Sequence, residues 1–269
     1  MTEPRSPESL AVLADGALAR RTALVTGGGG GIGRACALLM SRLGARVHVV
    51  GRTQESLDET VAIGARAAYE HPLVASVCDI REIEQVDVLL ESVLFGAGRI
   101  DILVNNAGGQ FMSPAETVSH RGFRAVTRLN LDATWYLTTR VAELSMLPAG
   151  YGKVINIVTS PQRGIPGMAH SSAARAAVES LTRTLAVEWG PRGVRLVAVA
   201  PGFVHTEALT RYGVDVAALA RTAPLQRPEA ADEVAALVGF LASVAGDYIT
   251  GTTISADGGL NVAPPATAG

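Results

Sequence analysis

Thr26 to Gly33 reads TGGGGGIG, between the apolar run Ala23, Leu24, Val25 and a helical stretch that opens at Ile32. Glycine lets a backbone adopt positive φ and lie close to a phosphate. The helix N-terminus beyond it offers unpaired N–H groups and a partial positive charge. The chemistry this predicts is a pyrophosphate cradle. Roughly 20 residues further on, an NAD enzyme carries an acid for the adenosine 2′-hydroxyl. Here Gly51, Arg52 and Thr53 follow the second apolar run instead. A guanidinium fork matches phosphate geometry, so Arg52 points to the 2′-phosphate of NADP(H). Two more clusters, Cys78-Asp79-Ile80 and Asn105-Asn106-Ala107-Gly108, end apolar runs at the edge where open α/β sheets hold adenine and ribose.

Such groups need a frame, and the chain alternates in the way that supplies one. Apolar runs predict strands at 23–25, 45–50, 73–78, 100–104, 153–158, 194–199 and 252–255. Helical spacing predicts helices at 32–43, 53–69, 82–95, 117–147, 170–189 and 232–244. This alternation predicts an α/β, single-domain, Rossmann-like doubly wound fold, with a seven-stranded parallel sheet and helices on both faces.

Composition narrows the partners. A chain of 269 residues with 48% hydrophobic content can bury one full core. Its net charge of −2, without a cluster of Lys or Arg, indicates neither nucleic acid nor a basic membrane-binding face. Cys36 and Cys78 are too few and too isolated for a disulfide framework or a zinc site, and no metal is expected. No apolar run is long enough to span a bilayer, which predicts a cytoplasmic protein acting on a small molecule. Residues 1–19 and 263–269 read as flexible arms around a domain at 20–262.

TGGGGGIG, Asp79-Ile80, NNAG at 105–108, Asn130, Pro201-Gly202 with Thr206, and ITGTTISADGG near the end together resemble the short-chain dehydrogenase/reductase family over residues 20–262. The resemblance implies that Gly27, Gly31, Ile32 and Gly33 lie against the pyrophosphate, Asp79 and Ile80 against adenine, and Asn106, Ala107 and Gly108 against ribose. Val204 and Thr206 would hold the nicotinamide amide. It also implies a homotetramer or dimer built on the two long helices. Most members carry Tyr-x-x-x-Lys where this chain reads AHSSAARAAV, which puts Ser171 at the tyrosine and Arg175 at the lysine. NNAGGQFMSPAE at 105–116, HSSAARA at 170–176, LAVEW at 185–189 and Arg211-Tyr212-Gly213 are similar to the peroxisomal trans-2-enoyl-CoA reductases and to their cousins, the 2,4-dienoyl-CoA reductases.

The exchange at the reaction centre limits the chemistry. Serine is a far weaker acid than phenol, whose pKa is roughly 10. Arginine keeps its proton, so Arg175 can bind ribose hydroxyls but cannot relay protons. Reducing a ketone needs a proton delivered to an alkoxide; reducing a C=C bond conjugated to a thioester needs donors to an enolate oxygen, then protonation at carbon. The expected activity is NADPH-dependent reduction of a 2-enoyl thioester. Ser171 with Thr159 or Ser160 would donate to the thioester oxygen. Asn130 either positions a water or the helix behind the site, or bridges a kink in the long helix. Gln110 and Phe111 would line the substrate wall. Tyr212 would lie on a loop over the substrate, packing on the acyl chain or supplying a proton. His170 reads as a structural donor at a helix start, and the spacing of Tyr136 and Arg140 as chance. The competing readings are a keto or hydroxy dehydrogenase with an unconventional acid, and a non-redox cyclase or scaffold that keeps the nucleotide fold.

Overall fold

The structure, a computed structural model, describes residues 13–159, 164–206 and 215–262. Ser160 and Tyr212 therefore lie outside the described residues. Seven parallel strands form one sheet: β1 (Thr22–Thr26), β2 (Arg46–Gly51), β3 (Val74–Val77), β4 (Ile102–Asn105), β5 (Gly152–Ile157), β6 (Val194–Pro201) and β7 (Thr252–Ala256). Their order across the sheet is β3-β2-β1-β4-β5-β6-β7, so the chain reverses direction of travel between β1 and β4.

Helices cover both faces, and the strands show why. β1, β4 and β5 are buried at every residue, as expected of parallel strands sandwiched between helices. Successive side chains go to opposite sides: Ala23, Val25, Ile102, Val104 and Ile155 join one core, Leu24, Leu103 and Val154 the other. The first core is closed by α1 (Gly31–Arg42), α2 (Gln54–Arg66) and, late in the chain, the helix Ala231–Ala242. The second is closed by α3 (Ile83–Ala97), α5 (Ala133–Val141) and α7 (Ala169–Trp189). In order along the chain, α4 (His120–Thr127) precedes α5, and α6 (Leu147–Ala149) precedes β5. The short α8 (Val216–Ala220) precedes that closing helix, here α9 (Ala231–Ala242).

Three features depart from the sequence expectation. The long helix of 117–147 is not uniform: π turns at Arg128–Asp132 and Ala142–Met146 interrupt it, the first centred on Asn130. A short helix forms at Val216–Ala220, where the sequence predicts none because so few residues give no periodic signal. The expected N-terminal arm does not run to residue 19. Leu18 is buried and its N–H donates to the Leu43 carbonyl at 2.9 Å, while Leu13 and Ala17 pack on the first core. These apolar residues cover the end of α1.

Candidate active site

The C-terminal ends of β1, β4, β5 and β6 stand side by side, and the loops leaving them carry the predicted residues. At the end of β1, Gly27 and Gly31 have φ of +66° and +51°, conformations that L side chains rarely adopt. A Cβ on Gly33 would strike the Gly27 carbonyl, so α1 starts directly on the turn. At Gly30, by contrast, a Cβ would meet nothing within 4 Å. Gly30 is the N-cap of α1 and no side-chain hydrogen bond caps the helix, so the first-turn N–H groups have no side-chain cap. Those are the requirements of an anion cradle.

The next loop is fastened to the first. Thr26 Oγ1 accepts from the N–H groups of Asn106 and Ala107, both at 3.0 Å. Asn106 Nδ2 donates to the Thr26 carbonyl at 2.9 Å, so its side chain joins two loops rather than projecting from them. Thr206, after β6, packs against Gly31, where a Cβ would lie 3.1 Å from Thr206 Cγ2. Val204 is buried and forms an isolated parallel bridge with Glu229. At the adenosine end, Arg52 and Thr53 are exposed, while Ile80 is buried in the second core. Asp79 takes a two-pronged grip from Arg81, with Nε to Oδ1 at 2.8 Å. Hydrogen bonding to Arg81 holds the Asp79 carboxyl below its usual range, with a smaller push from the charge of Arg52.

At the reaction centre, α7 brings Ser171 and Arg175 onto one face, four residues apart. Arg175 Nη1 donates to the Ile157 carbonyl, and its Nη2 fills the space where Gly108 would carry a side chain. Its Nε is enclosed and unpartnered among the described residues. Burial pushes the guanidinium down to about 10, which leaves it charged at neutral pH. Asn130 Nδ2 donates to the Gly109 carbonyl at 2.9 Å and Oδ1 accepts from the Gly109 N–H at 3.0 Å. Thr134 Oγ1 donates to the Asn130 carbonyl at 3.1 Å. The side chain therefore leaves the kink to hold the segment after NNAG, instead of bridging within the helix.

Ser171 is fully buried and its Oγ lies 3.1 Å from Gln110 Oε1. Phe111 meets the ring of His170 edge-on, with centroids 4.3 Å apart. The sequence places Gln110 and Phe111 on a pocket wall but gives no sign that residues 61 positions apart pair there. His170 departs from expectation: its Nδ1 accepts from the Ser171 N–H at 2.7 Å, so it is an acceptor here. Thr159 follows β5, half-buried. Tyr136 and Arg140 both bind Asp87, a surface cluster remote from these loops, in keeping with a spacing of no catalytic meaning. Sequence reasoning missed Glu229, which accepts from the Gly202 N–H at 3.0 Å beneath the β6 loop and is pushed up to about 7, chiefly by burial.

A glycine cradle on a helix N-terminus, at the point where a parallel sheet changes direction, defines a dinucleotide-binding fold. The chain belongs to the short-chain dehydrogenase/reductase family, whose members bind a nicotinamide cofactor. A family profile described as enoyl-(acyl carrier protein) reductase matches residues 27–261. A probable 2,4-dienoyl-CoA reductase [(2E)-enoyl-CoA-producing] of Bacillus subtilis is 35% identical over 246 residues, covering 89% of this chain and 96% of that protein. A 3-oxoacyl-[acyl-carrier-protein] reductase of Synechocystis is 36% identical, covering 91% and 98%. Among solved structures, a putative NAD(P)-dependent gluconate 5-dehydrogenase of Beutenbergia cavernae with bound NADP superposes with a TM-score of 0.84. It is 37% identical and covers 92% of this chain and 99% of the other. The open space at Gly30, the uncapped helix and the enclosed charge of Arg175 fit such a cofactor. Among the described residues no cluster could hold a metal ion and no helix is long and apolar enough to cross a membrane.

Proposed function

We propose that this protein reduces the C=C bond of a 2-enoyl thioester with NADPH. The observation that carries the reading is where the phenols are. Of the described tyrosines, Tyr136 is bound to Asp87, and Tyr151 is covered by the Arg21 guanidinium 3.8 Å from its ring centre, next to the start of β5. Tyr248 is fully exposed after α9, and Tyr69 packs by the end of α2. None stands at the strand ends beside Ser171, where a ketone reductase needs an acid. A site with donors and a fixed cation suits an oxygen that gathers charge and never has to take a proton.

In this reading the first-turn N–H groups of α1 hold the pyrophosphate, Arg52 the 2′-phosphate and Arg175 the ribose. A nicotinamide held there would supply hydride to C3 of the acyl group, with the balancing proton at C2 taken from water. Thr159 donates toward the thioester oxygen, and Ser171 joins it once substrate draws its hydrogen away from Gln110; Asn130 fixes the Gly109 segment, and Gln110 with Phe111 lines the acyl wall. Asp79 is committed to Arg81, so adenine meets that pair rather than a free carboxylate. We propose the cytoplasm as the setting, and a homotetramer or dimer as the assembly. The test is NADPH oxidation with crotonyl-CoA and longer 2-enoyl-CoA, set beside 3-oxoacyl-CoA. The expected result is a higher kcat/KM for the enoyl thioesters; preference for the ketone overturns the reading and favours the dehydrogenase alternative.

A further inference from the structure

His170 is 0% exposed and has no part in the function just proposed. Its Nδ1 accepts a hydrogen bond from the Ser171 N–H at 2.7 Å. An acceptor nitrogen carries no hydrogen, so the ring holds its proton on Nε2. That Nε2–H is enclosed and has no hydrogen-bond partner among the described residues. A buried donor left unpaired is costly, so such a group calls for a partner. The neighbours say which partner. Ser171 and His170 come from the first turn of α7, and Gln110 and Phe111 from the segment that Asn130 clamps at Gly109. Ser171 Oγ is already engaged with Gln110 Oε1 at 3.1 Å. Within this group of four, the serine hydrogen is committed and the histidine hydrogen is not. The ring is also held in place, by the Ser171 N–H on one nitrogen and by the edge-on contact with Phe111.

We infer that His170 is a substrate-binding residue whose Nε2–H donates to the acyl carbonyl oxygen, reached when Phe111, 38% exposed and in contact with the ring, turns aside for the acyl chain. The inference rests on the proposed thioester reading for the identity of that oxygen. The histidine keeps its proton throughout: it polarises the carbonyl and steadies the charge that gathers there, beside Ser171, and is not the source of the hydrogen added to carbon.

Two measurements test it. In protein labelled with 15N-histidine and saturated with NADP+, crotonyl-CoA forms a complex that cannot react. The Nε2–H resonance of His170 should move downfield as crotonyl-CoA is added. In turnover, His170→Phe keeps the ring volume without a donor, and should lower kcat about 100-fold with the KM for NADPH held within about two-fold. His170→Gln returns an N–H near the Nε2 position and should recover about ten-fold of that loss. If wild type reduces ketones instead of enoyl thioesters, acetoacetyl-CoA replaces crotonyl-CoA in both measurements, since either thioester brings a carbonyl. That outcome removes the C=C reading without touching this one. A resonance that stays in place with both thioesters overturns the inference, as does a His170→Phe variant as active as wild type. Should the phenylalanine variant fail to fold, the resonance decides.

Discussion

Arg52 stands at the end of β2 with its side chain exposed, close enough for its charge to help hold Asp79 ionised. A carboxylate at the same place would accept from a 2′-hydroxyl and repel a 2′-phosphate. Arg52→Asp is therefore expected to raise the Kd for NADPH and lower that for NADH, moving their ratio by about 100-fold, or roughly 3 kcal/mol. Fluorescence titration with both coenzymes measures it, and an unchanged ratio removes the assignment. The sequence revealed Arg52 because its position is fixed by a short count from the glycine turn. Arg81 was hidden although it lies only two residues from Asp79, because nothing in the spacing says that its guanidinium turns back to grip that carboxylate. The same holds for Ser171 and Gln110, whose pairing depends on how α7 docks against the β4 loop. Residue types announced a hydrogen-bonding site, and tertiary packing alone decided which hydrogens were already spoken for.

Lys153, the chain's single lysine, shows how one side chain can finish an element. It lies near the start of β5, at the opposite end of the strand from the site, so it is not a displaced catalytic lysine. Its Nζ donates to the carbonyls of Leu241 and Ser243, both at 3.1 Å, and pairs with Asp247 at 2.8 Å. The C-terminal carbonyls of α9 thus find a cation in a buried setting. Lys153→Met would strand those two buried carbonyls, while the half-exposed Asp247 carboxylate turns to water, at a cost of roughly 3 kcal/mol. A fall in Tm of about 5–10 °C with kcat/KM unchanged is expected. The loop after β6 carries a pH-dependent counterpart in Glu229. Its carboxyl is raised from 4.5 to about 7, first by burial and then by the charges of Glu233 and Asp257, against the pull of the Gly202 N–H and Arg227. Below pH 4.5 the group is protonated folded or unfolded; between there and about 7 the unfolded chain ionises while the folded one resists. The stability it contributes is therefore lost as pH rises through that window, by roughly 2–3 kcal/mol. Glu229→Gln should match wild type in Tm at pH 4.5 and exceed it at pH 8; equal melting at pH 8 would refute the assignment. Element existence was legible because β1 and β4 are built on apolar runs, β5 is apolar apart from Lys153 and Asn156, and the helices have clear periodicity. The π turns were not, since an added residue in a helix turn leaves no compositional mark; the first of them carries the Asn130 side chain that bonds to Gly109.

At the scale of the whole molecule, two helices beside the site also present an open groove with apolar walls. Leu131, Trp135, Ala177 and Leu181 line a groove of about 560 Å³ between α5, with its preceding π turn, and α7, on the side facing away from the sheet. Trp135 is 48% exposed there and Val187, further along α7, 79% exposed. Large apolar side chains set along two adjacent helices are costly in water, at about 25 cal/mol for each Å² left uncovered, and a second copy offers the same groove in return. The proposed dimer or tetramer would use this face. It would press on the π turn that aims Asn130 and on the helix that carries Ser171 and Arg175, so assembly and catalysis should fall together. Leu181→Arg with Trp135→Arg places cations in the groove while leaving every hydrogen bond of the site intact. Sedimentation velocity should show the variant at a smaller subunit number than wild type. Its kcat should drop more than its affinity for NADPH, because the glycine cradle lies on the opposite face of the sheet, at α1. A wild-type protein that sediments as a monomer, or a variant of unchanged size, would show that this surface serves some other purpose.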